Sequence, residues 1–148
     1  MEKNIEVVIN NCFGGFSLSF EGVKKYAELA GIEAFAYVEA DRSSTDYDNR
    51  KYKLIETYDE RHFIIHWLTK NIGNLVTSEQ LNKSDCWLHD RDIPRDDVNL
   101  IKTVRLLKNK ANGSCASLKI VKIPADMKWN IHDYDGNEHV AEDHITFH

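Results

Sequence analysis

The sequence predicts an α+β fold in which a mainly antiparallel sheet is combined with two principal helices in a single domain, residues 1–148. Three observations support this prediction. A β-branched run at residues 5–9 precedes a helical repeat, a second apolar helix face lies between residues 94 and 111, and Asp135-Gly136 separates two strand-like runs. A chain of 148 residues is an ordinary length for one domain and can fold without a metal or a disulfide.

The first third of the chain predicts a strand, a helix and a second strand. Residues 5–9 are short and β-branched, as in a strand that is buried on both faces. Apolar residues then recur at helical spacing over residues 20–30, with Ser17 and Ser19 as candidate N-caps and Gly31 at the position of a C′ glycine. Residues 32–38 predict the second strand.

The middle third is less regular. Residues 41–51 are polar and predict a loop, and residues 52–58 predict a strand. Residues 61–68 fit a strand or a buried helical turn, and the apolar periodicity does not decide between them. Residues 71–84 predict a turn and a short helix that begins at Thr77 or Ser78.

A second long helix is predicted to start at Pro94. Proline fits the first turn of a helix, and the positive end of the helix dipole favours the carboxylates of Asp96 and Asp97. Apolar residues continue at helical spacing to Ala111, and Asn112-Gly113 is a typical helix end.

Strands are predicted for the last third of the chain. Residues 115–123 predict one strand that ends at Pro124. Residues 129–134 and 138–141 flank Asp135-Gly136, which is the strongest short hairpin sequence in the chain. The C-terminal region is therefore predicted to contain a two-stranded antiparallel ribbon.

Composition argues against several classes of protein. No window approaches the ~20 consecutive apolar residues of a membrane span, and the polar N-terminus does not resemble a signal peptide. The three cysteines are an odd number without repeated spacing, which argues against a disulfide framework and favours the cytoplasm. A net charge of −5 predicts no general attraction to DNA or to anionic lipid, although a local pocket can still bind a small anion.

The double glycine after the first strand is the first candidate site. A glycine turn between a strand and a helix can direct N–H groups at a phosphate, and the flanking Phe13 and Phe16 could stack on a base. A purely structural turn with two core phenylalanines has the same sequence pattern, and it is favoured on this pattern alone because Gly14-Gly15 lacks the spacing of established phosphate-binding motifs.

Two arginines lie near the predicted start of the second helix. Arg91 and Arg95 could form an anion site beside the helix N-terminus, with Asp96 next to them. The alternative is a solvated group of charges that only marks the helix start.

Metal and nucleophile patterns are weak. His62 and His66 are four residues apart, and Cys86 and His89 are three apart, but neither pair has the partners of an established metal motif. Cys12 follows a strand, yet a buried structural cysteine is far commoner than a nucleophile. We therefore predict no metal, no cofactor and no catalytic residue, and expect the remaining histidines to lie at the surface of a sheet edge: His132, His139, His144 and His148.

Several segments together resemble a family of small phage and prophage proteins. They are residues 11–19, 93–97, 111–124, 129–136 and 138–144, which leaves residues 40–85 unmatched. In this order they are similar to the phage anti-defence proteins of the first type that counter the Thoeris system, which bind and sequester cyclic ADP-ribose isomers without cleaving them. The chain departs from that pattern after His144, where Ile145 and Thr146 stand in place of a basic residue and a tryptophan.

The resemblance implies a non-enzymatic homo-oligomer, a dimer or larger, that binds a cyclic nucleotide signal in the cytoplasm of an infected bacterium. The ligand-binding residues that we predict are Asn11, Phe13, Gly14, Gly15, Phe16, Arg91, Arg95, Asp96, Glu142 and His144. Two alternatives remain open at this point: an enzyme that hydrolyses such a nucleotide, and a protein-interaction module that inhibits a host factor.

Overall fold

A computed structural model describes residues 3–40, 50–58 and 64–142. In chain order, its helices and strands are β1 (Asn4–Asn10), α1 (Phe20–Ala30), β2 (Phe35–Glu39), β3 (Lys51–Ile55), β4 (His66–Leu68), β5 (Leu75–Thr77), α2 (Ser78–Asn82), α3 (Val98–Leu107), β6 (Leu118–Pro124), β7 (Trp129–Tyr134) and β8 (Asn137–Glu142). All strand pairings among these residues are antiparallel, which confirms the predicted α+β class.

The described residues divide into two compact units. We call residues Met1–Ala30 with Asp90–His148 the terminal unit, and Gly31–His89 the central unit. Each unit has its own cluster of buried side chains. Whether these two units form the single domain that the sequence predicts stays a prediction. No helix in the described part of the chain is long and apolar enough to cross a membrane.

The terminal unit is built on the β1–β6 pair. The strands pair from Asn4 opposite Pro124 to Asn10 opposite Leu118. Helix α3 packs against both strands and against α1. The hairpin β7–β8 contributes to a separate apolar cluster with the same strands, formed by Val7, Ile9 and Ile123 together with the partly buried Trp129, Ile131 and Val140. The β1–β6 pair is therefore the element that α3 and the hairpin share.

The two long helices begin at side-chain caps. The Ser19 hydroxyl accepts a hydrogen bond from the Gly22 N–H at 2.9 Å, so Ser19 rather than Ser17 caps α1. The prediction that the second helix starts at Pro94 is wrong. Helix α3 starts at Val98, because the Asp97 carboxylate caps it by accepting from the N–H groups of Asn99 and Leu100. Arg95 and Asp96 therefore lie in a turn before the helix.

The central unit is a four-stranded sheet in the order β4-β2-β3-β5. Its buried cluster consists of Tyr37, Leu68, Val76, Leu81 and Cys86. In the ambiguous segment 61–68, residues His66–Leu68 form the strand β4. Residues 61–63 lie outside the described residues. The short helix that was predicted to start at residue 77 or 78 is α2, with Thr77 as its N-cap. Most of the predicted loop 41–51 also falls outside the described residues.

Candidate functional site

Three turns of the terminal unit surround a cleft of about 470 Å³. This volume lies within the range of ~300–1,000 Å³ that is typical of small-molecule sites. The turns are the one that follows β1, the one that precedes α3 and the tip of the β7–β8 hairpin. The cleft is lined by Gly14, Gly15, Phe16, Arg91, Arg95, Asp133, Asp135, Gly136 and Glu138.

The double glycine accommodates the hairpin tip. Gly14 and Gly15 both have positive φ angles, 127° and 95°, which side-chain-bearing residues rarely adopt. The Gly14 N–H donates to the Asp135 carbonyl at 3.1 Å. A Cβ on Gly136 would lie only 2.1 Å from the Gly15 nitrogen. The glycine pair therefore permits a close approach between its own backbone and the backbone of the hairpin tip.

The hairpin tip has the conformation that its sequence predicts. Asp135 and Gly136 have φ angles of 49° and 88°, and two consecutive positive values are typical of a type I′ turn. The Asp133 carboxylate accepts the Gly136 N–H at 2.7 Å. The turn fixes the strand register, so that Asp133 lies opposite Glu138 at the wall of the cleft.

A buried ion pair forms the centre of the cleft wall. Arg95 binds Glu138 through both guanidinium nitrogens, with an Nη2–Oε2 distance of 2.9 Å and a second contact between Nη1 and Oε1. The Glu138 and Arg95 side chains are only 5% and 16% exposed. The Arg95 guanidinium also lies 3.7 Å from the centroid of the Phe16 ring. Such a bidentate, stacked guanidinium has a fixed orientation.

The same two residues also form hydrogen bonds with the backbone of β1. The Arg95 carbonyl accepts the Val8 N–H at 2.8 Å. Two residues further along the strand, the Glu138 carboxylate accepts the Asn10 N–H, also at 2.8 Å. Buried backbone donors need such partners, because an unpaired one costs about 1–3 kcal/mol. The pair is thus a structural element of the unit as well as part of the cleft.

Asn10 is a fully buried side chain that joins the turn after β1, the hairpin tip and the segment before β6. Its amide nitrogen donates to the carbonyls of Cys12 at 2.8 Å and Gly136 at 2.6 Å. Its amide oxygen accepts the Ser117 N–H at 2.8 Å. The sequence analysis selected Asn11 and missed Asn10. The burial of Asn10 could have been predicted, because Asn10 lies on the same face as Val8 along a strand that was predicted to be buried.

The structure brings five of the predicted site residues together. Gly14, Gly15, Phe16, Arg91 and Arg95 line the cleft. Phe16 is buried, with 3% of its surface exposed, and Arg95 covers one face of its ring. The Phe16 ring therefore supports the guanidinium of Arg95. This geometry does not favour the predicted stacking of a ligand directly on Phe16.

Four other predicted residues do not line the cleft. Asn11 is exposed and donates its N–H to the Ser117 carbonyl at 2.7 Å. Phe13 is 61% exposed and its ring makes an edge contact with Tyr134. Asp96 is exposed in the turn before α3, and Glu142 is exposed at the end of β8. The fifth, His144, lies outside the described residues.

The charges of the cleft are mixed. Arg95 and Glu138 neutralise each other, which leaves Arg91, Asp133 and Asp135 as the other charged lining residues. Within the described ranges, Arg91 has no hydrogen-bond or ion-pair partner, so its guanidinium is available to an anionic group. The two aspartates can accept hydrogen bonds from hydroxyl or amino groups. This set of groups suits a ligand that has both anionic and hydroxyl-bearing parts.

The residues considered for metal binding and nucleophilic catalysis lie elsewhere. Cys12 does not line the cleft, and its thiol donates to the Phe13 carbonyl at 3.4 Å. Cys86 is part of the buried cluster of the central unit, and His89 stacks on Trp87. His66 contacts two aromatic rings, while its predicted partner at position 62 lies outside the described residues. Over residues 3–40, 50–58 and 64–142, no group of three or more histidine, cysteine or acidic residues could hold a metal ion.

The chain matches no protein-family model, no curated protein and no solved structure. The predicted similarity to the Thoeris anti-defence proteins therefore stays a prediction. The structure adds one observation about those segments. Residues 13–16, 93–97 and 133–138, which are far apart in the sequence, all contribute to one cleft.

Proposed function

We propose that the chain binds a cyclic nucleotide signal of the cyclic ADP-ribose type in this cleft and sequesters it without cleaving it. The observation that supports the proposal is the convergence of three segments that carry the resemblance on one cleft of suitable size. In this proposal the protein acts in the bacterial cell during phage infection, where it lowers the free concentration of the signal.

Each part of such a ligand has a matching group in the cleft. Arg91 would bind a phosphate oxygen by charge-assisted hydrogen bonds, which are stronger than neutral ones. Asp133 and Asp135 would accept hydrogen bonds from ribose hydroxyls, a role that acidic residues have in dinucleotide sites. The guanidinium plane of Arg95 would provide a stacking surface for a base, because Phe16 and Glu138 hold it in place.

Sequestration requires high affinity, and a rigid site favours it. Competing with a receptor at signalling concentrations requires a Kd near the nanomolar range, which corresponds to about −12 kcal/mol. The ion pair, Asn10 and the type I′ turn hold the wall of the cleft before any ligand binds. Preorganisation lowers the entropic cost of binding.

Isothermal titration calorimetry with cyclic ADP-ribose isomers tests the proposal. We expect Arg91→Ala to weaken binding by roughly ten- to a hundredfold, because a hydrogen bond to a charged group contributes about 1.5–3 kcal/mol. Arg105→Ala is the matched control, since it removes the same charge from an exposed pair with Glu6 that does not line the cleft. Equal affinities for the two variants, or no binding of any isomer by the wild type, would contradict the proposal.

A second measurement separates sequestration from hydrolysis. After incubation with the ligand, the protein is denatured by heat and the released small molecules are identified by mass spectrometry. We expect intact ligand in full yield, whereas breakdown products would favour the hydrolytic alternative. Native mass spectrometry of the same complex would test the proposed homo-oligomer and its ligand stoichiometry.

A further inference from the structure

Two histidines lie directly opposite each other on the β7–β8 hairpin. The register pairs His132 with His139, and their ring centroids are 5.2 Å apart at an interplanar angle of 66°. Both side chains are exposed. The two residues are seven positions apart in the sequence, a spacing that matches no established metal motif, and only the hairpin register brings them together.

The pair lies on the opposite face of the hairpin from the cleft. Because side chains alternate along a strand, His132 and His139 share a face with Asn130, Tyr134, Asn137 and Ala141. Asp133 and Glu138 belong to the other face, as do the core residues Ile131 and Val140. The two imidazoles thus share their own face of the hairpin with no charged neighbour.

The distance between the rings suits a shared metal ion. Imidazole is a common ligand for Zn²⁺, Cu²⁺ and Ni²⁺. Two imidazoles bound to one tetrahedral Zn²⁺ with Zn–N distances of about 2.0–2.1 Å have ring centroids about 5 Å apart. An edge-to-face ring contact explains a separation of 5.2 Å as well, but such a contact does not exclude metal binding, since exposed side chains change rotamer within nanoseconds.

We propose that His132 and His139 together bind one divalent transition-metal ion, with water in the remaining coordination positions. The type I′ turn fixes the register of the two strands, so that the two histidines lie opposite each other before the ion arrives. The bound ion links the two strands whose tip forms a wall of the cleft. It therefore stabilises the folded hairpin by mass action, whether or not the cleft contains a ligand.

The test is a titration of the untagged protein with NiCl₂ and ZnCl₂, followed by calorimetry and by the shift in Tm. We expect His132→Gln and His139→Gln each to lower the metal affinity by on the order of tenfold or more, because each removes one of two protein ligands. The metal-induced rise in Tm should be lost in both variants. His89→Gln is the matched control, since His89 is exposed but stacks on Trp87 in the central unit.

A second set of measurements identifies the binding histidines directly. In NMR spectra, Zn²⁺ should shift the imidazole resonances of both His132 and His139 in the wild-type protein, which does not depend on the folding of a variant. A double variant, His144→Gln with His148→Gln, should retain the affinity. Metal binding that depends on positions 144 and 148, or unshifted imidazole resonances at 132 and 139, would overturn the proposal.

Discussion

The terminal unit and the central unit differ in how deeply their charged contacts are buried. In the terminal unit, Glu138 accepts a hydrogen bond from Asn10, a residue 128 positions away, and forms a buried ion pair with Arg95. In the central unit, the fully buried Tyr37 donates its hydroxyl proton to the carbonyl of Gly73, which is 36 positions away. The terminal unit therefore contains an ion pair of two almost buried side chains from distant segments. The ion pair of the central unit, Arg50 with Glu39, is more exposed, and the fully buried Tyr37 is neutral.

This difference indicates which unit has the more specific requirements. A buried ion pair adds little net stability compared with apolar packing, but removal of one partner leaves an unpaired buried charge and is strongly destabilising. The cleft is formed by this costly arrangement. The central unit has a conventional apolar cluster around Tyr37, in which single polar contacts contribute about 0.5–1.5 kcal/mol each.

The largest effect is expected from Arg95→Met, which leaves the buried Glu138 carboxylate without its partner. The free energy of unfolding should fall by about 3–5 kcal/mol, as measured by urea denaturation. Amide hydrogen exchange should show the loss in β1 and β8, with less change in the central unit. A uniform loss of protection across both units would break the comparison, because it would mean that they unfold as one.

Two further variants control this experiment. Arg105→Met removes an exposed ion pair with Glu6 and should cost less than about 1 kcal/mol. The double variant Arg95→Met with Glu138→Gln removes both charges but keeps an amide oxygen as acceptor for the Asn10 N–H, so it should recover part of the stability lost in the single variant. If the double variant is less stable than Arg95→Met alone, the loss comes from the stacking of Arg95 on Phe16 rather than from an unpaired charge.

Local sequence rules predicted the parts of the fold that depend on local chemistry. The Asp135-Gly136 turn, the C′ position of Gly31 and the start of α2 after Thr77 all follow from backbone preferences of a few adjacent residues. The start of α3 was placed four residues too early, because both Pro94 and Asp97 are plausible at a helix start. The structure selects Asp97, whose carboxylate caps two N–H groups.

The cleft was predictable only in part. Gly14, Gly15 and the two arginines were found because glycine pairs and arginines are distinctive residue types. Glu138 was missed because its role depends on pairing with Arg95, and nothing near position 138 indicates that contact. Phe13 and Phe16 flank the glycines symmetrically in sequence, but Phe16 is buried under Arg95 while Phe13 is exposed. Only the three-dimensional packing distinguishes them.

A smaller effect is expected from Tyr37→Phe in the central unit. The Tyr37 hydroxyl donates to the Gly73 carbonyl at 2.8 Å and accepts the Ile72 N–H at 3.0 Å. Without it, one donor and one acceptor lose their partner, so that urea denaturation should show a loss of about 1–3 kcal/mol. Tyr134→Phe is the control, because its side chain is 72% exposed. If Tyr37→Phe costs as much as Arg95→Met, the contrast between the two units fails.

The smallest effect, and the one that sharpens the comparison most, concerns pH and His66. Burial lowers the pKa of His66 below its ordinary value of 6.5, although the nearby Glu39 carboxylate acts in the opposite direction. The unfolded chain then binds a proton at this residue more readily than the folded chain. The stability that His66 contributes is complete above pH 6.5 and decreases as the pH falls below that value.

His66→Gln isolates this contribution, because all the other ionisable residues are the same in both proteins and their contributions cancel in the difference. As the pH is lowered from 7.5 to 5, the free energy of unfolding of the wild type should fall relative to that of the variant. Histidine NMR titration should place the pKa of His66 below 6.5. A difference that is constant over this range would show that His66 is not buried from solvent by Tyr52 and Trp87, the two rings it contacts. Because both rings belong to the central unit, such a result would mean that this unit is packed more loosely around its aromatic residues than its buried cluster suggests.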